Sequence, residues 1–280
     1  LSYLHGYHAG NHADVLKHLV LVHLLDHLCR KEKGWRYVDT HAGAGLYDLH
    51  DARAAKKAEH LDGIGRLLAR DDLPPALERL VALVRTFQPQ DDALDVYPGS
   101  PLLALSLARP QDELHLHELH PGEHEALTAN LAAEASAHIH RQDGFRGALG
   151  LLPPPTRRGL VLVDPSYERK EDHEQVVRFL QQAHRRFATG TVAIWYPVVD
   201  RARIDTLCAR LRDAGVPDLL RVELRVAADA DGFGMTGSGM IVLHPAFTLA
   251  AALEAALPFL AEVLATEPGG GWTVETLVPE

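Results

Sequence analysis

Leu160-Val161-Leu162-Val163-Asp164-Pro165-Ser166-Tyr167 reads as a buried strand that stops on a carboxylate. Its short apolar run is of the kind found in parallel strands covered on both faces. Asp164 ends the run, Pro165 has no N–H to offer a further ladder, and Tyr167 adds a flat ring. Ligands of open α/β sheets sit in the crevice outside the carboxyl ends of the strands. The stretch therefore places an acid, a proline-constrained backbone and an aromatic at a ligand edge, a combination suited to holding a planar base by an exocyclic amino group.

Outward from this strand the chain alternates. Residues 11–33 predict a helix, with Asn11 or Asp14 as its cap, apolar Val15, Leu16, Leu19, Val20, Leu24 and Leu28 along it, and Gly34 as its stop. Arg36–Asp39 is a short strand leading into the turn Thr40-His41-Ala42-Gly43-Ala44-Gly45. Two helical patterns follow with no strand between them, Ala52–Ala69 and Pro75–Phe87. They predict a helical insertion over 50–96, set into a main domain made of 1–49 and 97–280. Ser100 as N-cap and Pro101 at the first helical position restart that domain. Strands are then expected over Glu113–Glu118, Ala137–Arg141, Thr191–Tyr196, Leu219–Val226 and Met240–His244. Helices over Pro121–Ala135, Asp172–Phe187 and Asp200–Ala214 separate most of them, and a last helix covers 247–265. This rhythm predicts an α/β fold with a doubly wound, mostly parallel sheet.

The 280 residues carry 28 Lys+Arg against 38 Asp+Glu, a formal net charge of −10. Such a balance argues mildly against a nucleic-acid partner, because phosphate neutralisation supplies much of that affinity; local field is a separate matter. Basic clusters stand at Arg53 with Lys56 and Lys57, Arg157 with Arg158, Arg169 with Lys170, and Arg185 with Arg186. Each reads singly as a solvated face, except that Arg157, Arg158, Arg169 and Lys170 flank the Asp164 strand. No apolar stretch is long enough to span a bilayer, and Leu1–His5 lacks the basic and apolar regions of a secretory signal. The missing initiator Met suggests that the numbering starts one residue late. Cys29 and Cys208 alone fit reduced thiols, and hence a cytoplasmic protein.

Asp39, Glu118, Asp143 and Asp164 all stand at strand ends, and in a doubly wound sheet these ends converge on one crevice. Singly each could be a helix cap. Together with the Gly43/Gly45 turn they could serve a nucleoside cofactor, the turn admitting its backbone closely, one acid taking ribose hydroxyls and another an adenine amino group. Either NAD or S-adenosylmethionine would be served. The incomplete glycine fingerprint and the Asp-Pro-x-Tyr ending favour the latter. His115 with His117, and His138 with His140, could each offer two zinc ligands, but no further ligands stand at zinc spacing, so no metal is expected. Gly232, Gly234, Gly237 and Gly239 read as a mobile loop between the last two strands.

The chain resembles the J family of bacterial 23S rRNA adenine-N6 methyltransferases (RlmJ). The likeness runs through Tyr7-His8-Ala9-Gly10-Asn11-His12-Ala13-Asp14-Val15-Leu16-Lys17-His18, Asp39–Gly45, Tyr97-Pro98-Gly99-Ser100-Pro101, Glu118-Leu119-His120-Pro121, Asp143-Gly144-Phe145, Arg157–Leu160, Trp195-Tyr196-Pro197-Val198 and Gly234–Met240. It implies a Rossmann-like class I S-adenosylmethionine-dependent methyltransferase with a seven-stranded sheet and the helical insertion. It also implies that His18, His41, Ser100, Glu118, Asp143, Gly144 and Asp164 bind S-adenosylmethionine, and that Asp164, with Pro165 and Tyr167, acts on the amine. Tyr3 is implied to touch the RNA and Tyr167 to stack on the base. The partner implied is 23S rRNA, expected as naked or early-assembly RNA, and the protein is expected to be a monomer. Ser166 departs from the family's proline and leaves the backbone before Tyr167 less rigid. Rival readings are an amino methyltransferase acting on DNA adenine or on a protein glutamine, a non-catalytic RNA-binding pseudo-enzyme, and an NAD-dependent oxidoreductase.

Overall fold

A computed structural model of the chain describes residues 5–90, 93–169, 171–229 and 234–280. Tyr3, Lys170 and Gly232 lie outside the described residues. The chain opens on α1 (His12–Cys29) and β1 (Arg36–Asp39). A short pair, β2 (Leu46–Asp48) and, later, β3 (Val96–Pro98), brackets α2 (Ala52–Lys57), α3 (Gly65–Leu68) and α4 (Pro75–Arg85). Then come α5 (Ser100–Leu107), β4 (Glu113–His117), α6 (Pro121–Asn130), β5 (Ala137–His140), α7 (Gly144–Gly150) and β6 (Gly159–Val163). They are followed by α8 (Asp172–Arg186), β7 (Thr191–Val198), α9 (Arg201–Arg212), β8 (Leu219–Arg225), β9 (Gly237–Leu243), α10 (Leu249–Val263) and β10 (Gly271–Val278).

The main sheet has eight strands in the order β10-β8-β9-β7-β6-β1-β4-β5. From β1 the chain steps outward through β4 to β5, then returns to the other side of β1 with β6 and β7, all parallel. That reversal makes the gap between the ends of β1 and β6 the switch point at which such sheets bind ligands. β9 enters antiparallel between β7 and β8, and β10 closes the edge antiparallel to β8. The sheet thus holds one strand more than the seven expected. The eighth, Gly271–Val278, pairs residue for residue with β8 from Gly271↔Arg225 to Thr276↔Leu220; its sequence follows Pro268-Gly269-Gly270 and looks like a tail.

β6 distributes its side chains as a two-faced buried strand must. Leu160 and Leu162 enter a core with α1, α4, α5 and α10, whereas Val161 and Val163 enter a second core with α8 and α9. Helix α1 is buried on nearly every side, from Val15 through Leu25 apart from His23. A helix apolar all round belongs inside a protein, and α1 lies between the sheet and α4, α5 and α10.

Between β2 and β3 the expected helix Ala52–Ala69 is broken after Lys57, with a 3-10 turn at Glu59–Leu61 before α3. Two features cause the break. Ala58 sits at φ 48°, and a Cβ on Gly63 would collide with the Gly10 carbonyl, so the segment folds back against the N-terminal motif. The glycines after 233 also differ from expectation, because Gly237 and Gly239 lie within β9. A side chain at Gly239 would collide with the Tyr196 ring on the neighbouring strand.

Leu77, Leu80, Val81, Leu83 and Val84 of α4 share the α1 core. Leu80→Ala is therefore expected to lower the stability of the whole chain by about 2–5 kcal/mol, with one unfolding transition by both fluorescence and circular dichroism. A separate early transition confined to the helical segment would show that α4 is an independent unit.

Candidate active site

A cleft of about 380 Å³ opens at the carboxyl ends of the central strands. It brings together His18, His41, Ser100, Glu118, Asp143, Gly144, Asp164, Pro165 and Tyr167, all of them expected there. Asp39 does not line it.

The N-terminal motif sets one wall. Asn11 caps α1, its Oδ1 accepting from the backbone N–H of Ala13 and Asp14 at 2.9 and 3.0 Å. Its Nδ2 donates to Glu59 at 2.9 Å. The cap fixes the first turns of α1, and Asp14, Lys17 and His18 then fall on one helix face by their spacing. Lys17 Nζ stands 2.8 Å from Asp14 Oδ1 and 2.7 Å from Asp164 Oδ2. Burial alone would discharge this ammonium, but the two carboxylates outweigh it and raise the Lys17 pKa above its ordinary value. Burial likewise opposes charge on Asp14, yet His5 and Lys17 hold its carboxyl well below the usual range. Asp164 Oδ1 has no hydrogen-bond partner among the described residues.

His18 Nδ1 meets the Tyr97 hydroxyl at 2.8 Å. Burial pushes the imidazole down to about 3, so it is neutral near pH 7. Its Nε2 is buried without a partner among the described residues. An orphaned polar atom in a residue that lines a cleft calls for a ligand.

From β1, Asp39 is fully buried beneath the floor of the cleft. Its Oδ2 accepts from Tyr37 and Ser100 hydroxyls, each at 2.7 Å, and its Oδ1 from the His41 N–H at 3.1 Å. Burial raises its pKa from 3.8 to about 6 despite these bonds. The strand-end acid read from sequence as a cleft group therefore works one layer down, orienting Ser100 and His41. Past it, Gly43 and Gly45 take φ values of 62° and 80°, a region glycine enters without strain. The Gly43 N–H donates to Glu118 Oε2 at 2.8 Å and the His120 N–H to Oε1 at 2.7 Å, which locks the Glu118 carboxylate. Burial raises Glu118 above its ordinary value. Asp143 caps α7 by accepting from the Arg146 N–H at 2.9 Å and also lines the cleft. A Cβ on Gly144 would strike the Thr40 carbonyl, so the β1 turn and α7 pack backbone to backbone.

At the mouth Tyr167 adopts φ 53°, an uncommon conformation for a bulky residue. Its hydroxyl donates to the Trp195 carbonyl at 2.6 Å, and its ring lies against His173 at 4.8 Å. Sequence reading quoted Lys17 and Trp195 without giving them a role. The single lysine of α1, three residues after an acid and followed by an apolar run, was the available signal for the first. The histidines of β4 and β5 gather outside the cleft, His115 Nδ1 meeting His140 Nε2 at 3.1 Å.

A family model described as ribosomal RNA large subunit methyltransferase D, RlmJ, matches residues 32–278. The chain is 44% identical over 280 residues to the ribosomal RNA large subunit methyltransferase J of Haemophilus influenzae, covering 100% of both chains. The same identity and coverage hold for the protein of that name from Escherichia coli. The crystal structure of protein LPL1258 from Legionella pneumophila matches with a TM-score of 0.88 at 33% identity, covering 96% of this chain and 98% of that one. Fold, cleft and relatives define the class: a Rossmann-like methyltransferase whose cofactor is S-adenosylmethionine. Within that class the chain belongs to the RlmJ family. The cleft suits the cofactor, since it offers the unsatisfied His18 Nε2, an amide-locked Glu118 carboxylate and the close-packed Gly144 backbone.

Asp39 gives a pH test. An acid whose folded-state pKa is raised costs stability as it ionises, so the loss accrues as pH rises from 3.8 to about 6. Chemical denaturation across this window is expected to show the wild type losing stability relative to Asp39→Asn. Parallel curves for the two proteins would mean that Asp39 titrates at its ordinary value.

Proposed function

We propose that the chain methylates N6 of one adenine in 23S rRNA, with Asp164, Pro165 and Tyr167 acting on the base. The observation that carries this reading is the state of Asp164. One carboxylate oxygen is clamped by Lys17 at 2.7 Å, and the other has no hydrogen-bond partner among the described residues although Asp164 lines the cleft. The two relatives at 44% identity bear the name of large-subunit rRNA methyltransferases, which supports the RNA substrate.

Bound S-adenosylmethionine would supply an electrophilic methyl group. His18, His41, Ser100, Glu118, Asp143, Gly144 and Asp164 would hold it, Glu118 by accepting ribose hydroxyls and Asp143 by accepting the amino group of its adenine. The target N6 lone pair is delocalised into the ring, so the amine is a weak nucleophile until its N–H groups are engaged. The open oxygen of Asp164 and the Pro165 carbonyl accept those two N–H groups and draw the nitrogen toward tetrahedral geometry. Tyr167, fixed through its hydroxyl, supports the ring. Lys17 keeps the Asp164 carboxylate from rotating away, which is positioning rather than proton transfer; well-oriented reactants gain up to about 7–11 kcal/mol. Asp164 then takes the surplus proton, directly or through water. A paired adenine cannot enter, so the base is unpaired or flipped out at a cost of a few kcal/mol. Tyr3 would contact the RNA.

We further place the reaction in the cytoplasm, on a monomeric protein. Cys29 and Cys208 are free thiols, and among the described residues no helix is long and apolar enough to cross a membrane. Residues 50–96 are best taken as an accessory helical unit of a methyltransferase domain formed by 1–49 and 97–280.

Asp164→Ala is expected to lower turnover at least about a hundredfold, the lower range of general acid–base contributions. The fold should survive, because Lys17 keeps its bond to Asp14. Turnover like the wild type in a folded variant would sink the assignment. A second comparison concerns the form of the RNA. The target base must enter the cleft unpaired, and naked 23S rRNA exposes it more readily than a subunit crowded with proteins. Methyl transfer should be faster to the naked RNA, and a preference for assembled subunits would reject that reading.

A further inference from the structure

At the opposite end of β6 from Asp164 lies a second cleft, of about 650 Å³, which the reaction does not use. Arg30, Lys31, Arg157 and Arg158 line it together with His27 and His244, and no aspartate or glutamate is among its lining residues. This is a local cationic hollow on a chain with net charge −10.

Part of that charge has a structural duty. Arg158 donates to the Leu28 carbonyl at 2.7 Å and also to that of Lys33. Arg109, next to it, donates to the Cys29 and Lys31 carbonyls at 3.2 and 2.7 Å. These two arginines satisfy the end of α1, where carbonyls and the helix dipole call for positive charge. Arg30, Lys31 and Arg157 are surplus to that need. All three are exposed, and none has an acidic partner among the described residues. The acids nearby are Asp26, which is held by Arg79 at 3.0 Å, Glu32, exposed on the same loop, Asp112, which is held by Arg109, and Asp218, which is paired with His244 at 2.9 Å. Arg157 is also held at φ 51°, a conformation that non-glycine residues keep only when their surroundings enforce it.

Beside these charges stands Phe247, 79% exposed, the most exposed large apolar side chain among the described residues. Its ring has the Arg30 guanidinium 5.9 Å from its centroid and the His27 ring edge-on at 5.6 Å. A solvent-facing aromatic framed by cations is the arrangement that grips single-stranded nucleic acid, phosphates going to the cations and a base to the ring.

We propose that this cleft is a second RNA-binding site, which holds a phosphodiester segment of the rRNA substrate outside the target nucleotide. Gly159 and Leu160 line it while Asp164 ends the same strand. Five residue steps separate the two ends, about 16 Å of strand. The target nucleotide therefore cannot reach both sites, and only an RNA with flanking sequence can. The proposal rests on the RNA reading of the active site, and it explains how an acidic enzyme acquires affinity for a polyanion.

The test compares wild type with Arg30→Gln/Lys31→Gln/Arg157→Gln, leaving Arg158 in place as the α1 cap. Binding is read by fluorescence anisotropy between 50 and 200 mM salt. The probes are a 23S rRNA fragment with long flanks and a minimal stem-loop carrying only the target. The triple variant should bind the long fragment at least about tenfold more weakly, with a salt slope reduced by about one per lost phosphate contact. Binding of the minimal stem-loop and of S-adenosylmethionine, and kcat at saturating RNA, should stay as in the wild type. Phe247→Ala should weaken the long fragment while keeping the salt slope. Wild-type affinity and slope in the triple variant would overturn the proposal and point to an acidic protein segment as the occupant. The two readings fail separately. A wild type that binds long RNA through this cleft without methylating it defeats the active-site reading alone. A wild type that methylates long RNA while the triple variant binds it equally well defeats the cleft alone.

Discussion

The ion pair between Lys17 and Asp164, 2.7 Å long, ties α1 to the end of β6. The remainder of the active site is arranged around that tie. Both partners are largely withdrawn from water, Lys17 to 5% exposure. A buried pair of this kind contributes little net stability, because desolvation offsets the attraction, whereas a buried charge left with no partner at all costs about 3–5 kcal/mol. The chain accepts that exposure to damage because the pair fixes the direction of a carboxylate that must meet the substrate. Asp14 makes the arrangement tolerable by supplying a second anion to the same ammonium at 2.8 Å.

Support for the pair extends outward in layers. Asn11 fixes the start of α1, Glu59 holds Asn11, and Gly63 lets the Glu59 segment approach the N-terminal motif. On the sheet side, Asp39 sits under the floor and aims Ser100 and His41. The helical segment between β2 and β3 is therefore connected to the chemistry twice, through Glu59 and through the apolar face of α4 in the α1 core. This gives a physical reason for an insertion that does not itself line the cleft to matter to it.

Much of the plan was legible in the residues. The unbroken apolar run of β6, the helical pattern of α1 and the acids at strand ends follow from local spacing, and they led to the sheet and to Glu118, Asp143 and Asp164 in the cleft, whereas His18, His41 and Ser100 came from the family likeness. What was missed depended on contacts distant in sequence. A two-face count could not reveal that Asp39 lies below the cleft rather than in it, since that depends on Ser100 arriving from 61 positions away. The partner of Lys17 is 147 positions away. Gly239 resembled a loop residue because its neighbour Tyr196 comes from another strand. β10 is specified by its pairing with β8 more than by its own pattern. The functional name came from whole-motif likeness, whereas the geometry supplied the reason those motifs are spaced as they are.

The central claim is that this cleft makes N6-methyladenosine in large-subunit rRNA. The most direct measurement incubates the purified chain with S-adenosylmethionine carrying a labelled methyl group and, separately, unmodified 23S rRNA, 16S rRNA and duplex DNA. The product nucleoside is then identified by mass. The account predicts label in N6-methyladenosine from 23S rRNA alone. Label only in DNA, or none in any substrate despite tight cofactor binding, would contradict it.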